Sequence, residues 1–137
     1  MEVRCQCGRN KFTTPTPEPL KLFVCHCGEC RRSSGSAFGI SAVFPHFDFP
    51  MTAEQQSDIN MYTRTSERGT VIEGFFCRNC GSRLVERSAG DKSRTLVKGG
   101  CLVGITKDMM SKATHIYCGQ AIVDVPAGVE RYEGWLF

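Results

Sequence analysis

The chain has 137 residues, a size suited to one domain, and its 41% hydrophobic and 23% charged content excludes an intrinsically disordered polypeptide. No apolar run approaches the roughly 18 residues of a membrane span, and Met1-Glu2-Val3-Arg4-Cys5 opens without the apolar stretch of a secretory signal, so a cytoplasmic location is expected. A net charge of +3 biases the chain only mildly toward anionic ligands.

Residues 8–24 carry Pro15, Pro17 and Pro19 at alternate positions, which excludes a helix and predicts an extended entry into a strand over Leu20 to Val24. The second half of the stretch from Gly35 to Phe44 reads as a strand, and Pro45 and Pro50 bound a turn around Phe47 and Phe49. Alternation then predicts strands over 59–63 and over Val71 to Phe76, the latter running straight into Cys77. Leu84-Val85, Thr95 to Val97, His115 to Tyr117 and Ala121 to Val125 complete the series, with one short helix expected around Lys107 to Ala113. Short strands at near-regular spacing with glycine-rich turns predict an all-β fold with little helix, built as a single domain over residues 1–137.

Nine cysteines cannot all pair within one chain. In a reducing compartment, clustered thiols hold metal more often than they form disulfides. Seven of the nine are clustered, as Cys5-x-Cys7, Cys25-x-Cys27-x-x-Cys30 and Cys77-x-x-Cys80, while Cys101 and Cys118 stand alone. Cys77-Arg78-Asn79-Cys80-Gly81 has the form of a zinc knuckle, and Cys5-Gln6-Cys7-Gly8 is a contracted one with the same trailing glycine, able to take a positive φ. Together Cys5, Cys7, Cys77 and Cys80 form a closed set for structural zinc, stapling the amino terminus to the middle of the sheet. Such a site is worth roughly 10–16 kcal/mol in small zinc peptides.

Cys25-His26-Cys27-Gly28-Glu29-Cys30 offers three thiolates, and three ligands with one open position is the pattern of catalytic zinc. A zinc ion with three thiolates carries a formal charge of minus one, making it a poor activator of water but a suitable partner for an incoming thiol. A substrate sulfur is therefore expected at the fourth position. The competing reading closes the site structurally with Cys101, Cys118 or His115. His26 lies between two ligands and is expected to support the metal site from behind its ligands or to face the pocket, with proton relay as a candidate role.

These clusters resemble the glutathione-dependent formaldehyde-activating enzyme family, which also contains centromere protein V. The resemblance rests on Cys5-x-Cys7-Gly8, Cys25-His26-Cys27-x-x-Cys30-Arg31-Arg32, Ser34-Gly35-x-x-Phe38 and Phe76-Cys77-x-x-Cys80-Gly81-Ser82-x-Leu84, with Gly100-x-Leu102 and His115-Ile116 following. It implies an Mss4-like β fold with two zinc ions, structural at Cys5, Cys7, Cys77 and Cys80 and catalytic at Cys25, Cys27 and Cys30. It also implies a carbon–sulfur lyase acting on glutathione or a glutathione adduct, in the manner of S-hydroxymethylglutathione synthesis. Family members often follow Gly-x-Leu with acidic residues; here Val103-Gly104 follows.

Arg31 and Arg32 come directly after the open site and are expected to meet an anionic substrate through charge-assisted hydrogen bonds. Ser33-Ser34-Gly35-Ser36 is a candidate carboxylate nest. The basic stretch from Arg78 to Lys98 reads as a solvated face, a carboxylate receiver or a phosphate contact. Aromatic residues, Trp135 among them, are expected in the core. Two rivals to the enzyme remain: a non-catalytic zinc-stabilised binding domain, and a nucleic-acid or chromatin module. The isoelectric point of about 8.4 speaks against the second.

Overall fold

The computed structural model describes residues 1–135. Strands β1 (Glu2–Arg4) and β2 (Lys11–Thr13) form a small antiparallel ribbon. The main sheet takes β3 (Lys21–Cys25), β4 (Gly39–Pro45), β5 (Ile59–Thr65), β6 (Val71–Cys77), β7 (Arg83–Ser88), β8 (Arg94–Lys98) and β9 (Thr114–Ile116) in the order β5-β6-β7-β8-β4-β3-β9. Neighbours run antiparallel except β3 and β9, which are parallel. The strand-rich architecture with little helix is the one expected.

Three short α-helices are present among the described residues: α1 (Gly28–Ser34), α2 (Ala53–Asp58) and α3 (Lys107–Ser111). Only α3 was expected from the sequence. In α1 the sulfur of Cys27 is the cap, accepting from the amide of Cys30 at 3.3 Å, and Gly35 ends the helix in the left-handed conformation at φ 62°. Helix α2 opens on a capping box between Thr52 and Gln55. The strand expected at Ala121 to Val125 does not form: Cys118–Gln120 turn as a 3-10 helix, and Ile122 is left 64% exposed with no strand beside it.

Alternation along the strands sorts side chains to two faces. Across the central strands, Leu22, Ala42, Val97, Val85 and Phe75 stand in register on one face. All are buried in the principal core, which the ribbon covers with Val3 and Phe12. A register shift between Phe75 and Phe76 marks a bulge in β7, where Leu84 is the extra residue, and it lets consecutive Leu84 and Val85 both bury. On the other face Phe23, Ser41 and Lys98 stand in register, as do Val43, Leu96 and Glu86. That face is the floor of a cleft. The same alternation sends Cys77 to the core side with Phe75, and Cys25 to the cleft side with Phe23.

Candidate functional site

The sulfurs of Cys5, Cys7, Cys77 and Cys80 lie within 4.8 Å of one another and could hold a metal ion, so the first and third clusters meet. Both knuckles have the expected form. The amide of Gly8 donates to the Cys5 carbonyl and that of Gly81 to the Cys77 carbonyl, with φ of 76° and 78° at the two glycines. Cys77 is fully buried, whereas Cys7 reaches the surface. The amide of Asn10 donates to the Cys5 sulfur at 3.3 Å, and the amide of Gln6 donates to the Ser82 hydroxyl, which lies 3.3 Å from the Cys80 sulfur. Burial pushes the Cys5 thiol up to about 11. At Cys80 burial also works upward, but hydrogen bonds with Ser82 bring the thiol down to about 5. Four soft donors already supported by N–H and O–H groups suit a tetrahedral, thiophilic divalent ion.

The sulfurs of Cys25, Cys27 and Cys30 also lie within 4.8 Å of one another, and could hold a second ion. Cys25 ends β3, while Cys27 and Cys30 cap and open α1. Gly39, paired with Cys25 across the strands, lets the helix settle on β4, since a Cβ there would lie 3.1 Å from that of Cys30. Hydrogen bonds to Cys27 and Cys30, with burial, push the Cys25 thiol far up, and the same contacts pull Cys27 down. Among the described residues no further histidine, cysteine or carboxylate joins the three. His115 bonds His26 instead, Cys101 donates to the Arg83 carbonyl at 3.2 Å, and Cys118 is buried outside the set.

His26 is 1% exposed, with Nε2 3.0 Å from Nδ1 of His115 and its ring edge-on to Phe38. It does not line the cleft, and of the two placements expected it takes the one behind the ligands. Burial, then Arg131, lowers its pKa; burial, then His26 and Arg131, lowers that of His115. The serine nest does not form either. The amides of Gly35 and Ser36 are spent on the Arg31 carbonyl, and Ser33 and Ser34 hydroxyls return to backbone carbonyls.

The cleft beside the three sulfurs has a volume of about 820 Å³. Arg31 and Arg32 both line it, but Arg32 is held by Glu29 at 3.0 Å, while no carboxylate lies within ion-pair distance of Arg31 among the described residues. Arg64 and Arg68 also line it. The cleft floor carries a largely buried charge chain: Lys98 Nζ is 2.7 Å from one Glu86 oxygen and Arg64 is 3.8 Å from the other. Burial works against the Lys98 ammonium, but Glu86 and the sulfurs of Cys30 and Cys25 outweigh it and raise its pKa. These residues were missed in the sequence because strand register, not local spacing, brings them to Cys30.

The basic stretch is largely consumed internally. Arg78 bonds Asn60, Arg87 pairs with Glu73, Arg94 with Asp91 and Lys98 with Glu86, and Arg83 lies over Tyr62 and Phe76. Of the aromatics expected inside, Phe44 and Phe49 are buried, Phe38 and Phe47 pack at the core's edge, and Trp135 lies instead on the cleft wall.

No helix among the described residues is long and apolar enough to cross a membrane. A family model described as glutathione-dependent formaldehyde-activating enzyme matches residues 1–120. A crystal structure of a Rhodobacter sphaeroides protein is similar at 18% identity and a TM-score of 0.58, over 84% of this chain and 99% of that one, a likeness of fold.

Proposed function

The chain belongs to the glutathione-dependent formaldehyde-activating enzyme family, and on that premise we propose that it is a zinc-dependent carbon–sulfur lyase taking glutathione or a related thiol. The observation that carries this reading is a set of three converging sulfurs, with no fourth ligand among the described residues, opening on a cleft lined by Arg31, which has no ion-pair partner among those residues. A zinc ion held there by Cys25, Cys27 and Cys30 would keep a thiol sulfur as a nucleophilic thiolate at neutral pH. Cys5, Cys7, Cys77 and Cys80 would hold the structural ion.

The chain's own residues supply the rest. Arg31 receives a substrate carboxylate, since its guanidinium has no competing acid among the described residues. Arg32 is secondary, because Glu29 must first release it. Lys98 offsets the negative charge of the thiolate set from beside it, so an anionic thiol is repelled less. Phe23 and Ile116 flank the cluster and exclude water from it. Nine free thiols suit a reducing compartment such as the cytoplasm.

Cobalt substitution tests the open position. Glutathione added to the cobalt-loaded protein should raise the thiolate-to-metal absorption, and S-methylglutathione should not do so comparably. Arg31→Ala should weaken glutathione more than a neutral thiol, by about 1.5–3 kcal/mol for a lost charged hydrogen bond. A spectrum of four sulfurs indifferent to thiols would make this a non-catalytic zinc-stabilised domain.

A further inference from the structure

We propose that this cleft takes a thiol adduct whose newly sulfur-bound carbon carries an aromatic or extended apolar group, and that Trp135 sets the preference. The inference rests on the thiol-site reading above and names its substrate class. The three cysteines share a contact cluster with Phe23, Val43 and Ile116, and Leu96, Tyr117 and Trp135 pack around it. The space next to the sulfurs is therefore walled by apolar groups, while the arginines stand around it. A one-carbon polar substituent would leave that wall uncovered, whereas an aryl or alkyl group would remove it from water.

The wall is held in place. Trp135 lies 6.2 Å from Phe23 and 6.4 Å from Tyr117, ring centre to ring centre, at tilts of 37° and 41°. The Arg68 guanidinium covers it at 5.7 Å. The segment carrying Trp135 is laced along β9: the His115 amide donates to Glu130, Tyr132 to His115, Tyr117 to Gly134 and Cys118 to Tyr132, all through backbone groups. Thr114 donates to the Glu130 carboxylate at 2.5 Å, and Lys21 pairs with it at 3.1 Å. Tyr117 is fixed with φ 54° and ψ 39°, a left-handed conformation that a tyrosine adopts only when its surroundings compel it. The family match ends at residue 120, so it covers the β9 side of this lacing and stops short of Trp135.

The matching reaction is addition of the thiol to an aldehyde bearing that apolar group. The sulfur–carbon bond forms as the carbonyl π bond opens, the thiol proton passes to the carbonyl oxygen, and no oxidant or reductant is consumed. The reverse step returns thiol and aldehyde.

Trp135 is the chain's single tryptophan, so its emission reports on the wall with or without metal. S-benzylglutathione should shift that emission and bind about tenfold more tightly than S-methylglutathione, a gain of one aromatic contact. Trp135→Ala, followed by calorimetry, should abolish the difference and leave S-methylglutathione unchanged, while Trp135→Phe retains most of it. Equal affinities in the native protein, or a Trp135→Ala loss shared equally by both ligands, would overturn the proposal. Benzyl mercaptan and ethanethiol, run alongside, separate the two ideas. If neither glutathione derivative binds but benzyl mercaptan is preferred, the apolar wall stands and glutathione falls. If glutathione binds and neither benzyl compound is preferred, the wall falls and the thiol reading stands.

Discussion

Replacing Lys98 with methionine keeps most of the side chain's length and removes its charge from beside the three-cysteine cluster. Lys98 and Glu86 are only 13% and 18% exposed and 2.7 Å apart, so the change strands a carboxylate in a largely dry place. Breaking a buried pair in this way costs about 3–5 kcal/mol, and Arg64 on the other Glu86 oxygen points to the low end, about 3 kcal/mol. At roughly 4 °C per kcal/mol for a domain of this size, the metal-loaded variant should melt about 12 °C below the native protein. The double variant Lys98→Met with Glu86→Leu should recover most of that loss, because it buries neither charge. Thermal melts followed by circular dichroism at pH 7 decide the matter. A loss below about 1 kcal/mol, or a double variant less stable than Lys98→Met alone, would refute the picture of a buried, mutually dependent pair.

Cys77→Ser, at a fully buried position in the principal core, should leave no soluble folded protein, whereas Cys30→Ser should keep the fold and lower zinc from two ions per chain to one by elemental analysis. Equal loss of folding in both would move the second cluster to a structural role. Gly99→Ala would place a Cβ 2.8 Å from that of Ile40, a branched carbon near the backbone that cannot swing aside, so about 1–3 kcal/mol should be lost in urea unfolding; an unchanged midpoint contradicts this. Hydrogen bonds from Thr114, Tyr132 and Lys21 hold the Glu130 carboxyl at about 2, below its ordinary 4.5, so its contribution is complete above pH 4.5 and lost as pH falls toward 2. Glu130→Gln should therefore red-shift Trp135 emission already at pH 7 and flatten its further change between pH 4.5 and 2, and a native-like emission at pH 7 would count against the lacing.

The cysteine clusters were legible because metal ligation is a local demand. Cys77-x-x-Cys80-Gly81 needs only its own turn, and the missing partner at Cys5-x-Cys7 follows from the need for four donors. Most strands were legible for a similar reason, since Lys21–Cys25 and Val71–Cys77 alternate against a sheet that exists. Ala121 to Val125 has comparable β propensity and no neighbour to pair with, which a single sequence does not reveal. Helix α1 escaped notice because its cap is a sulfur rather than a hydroxyl or carboxylate, although Gly35 at its end was a usable signal. Helix α2 was announced by Thr52-x-x-Gln55 and was overlooked in a polar stretch. Lys98, Glu86 and Arg64 meet only through cross-strand register, and Trp135 reaches Phe23 only through the lacing onto β9, so neither grouping leaves a trace in spacing along the chain.

Because side-chain parity assigns Cys25 to one side of the sheet and Cys77 to the other, the length of β3 matters more than its composition. Losing a single residue between Lys21 and Val24 would keep every hydrophobe a hydrophobe. It would nonetheless turn the Cys25 thiol through half a revolution into the principal core, and bring Val24 to the cleft in its place. Exchanges among valine, leucine and isoleucine in this strand should therefore be tolerated, while a one-codon deletion should erase the three-sulfur cluster without altering any cysteine.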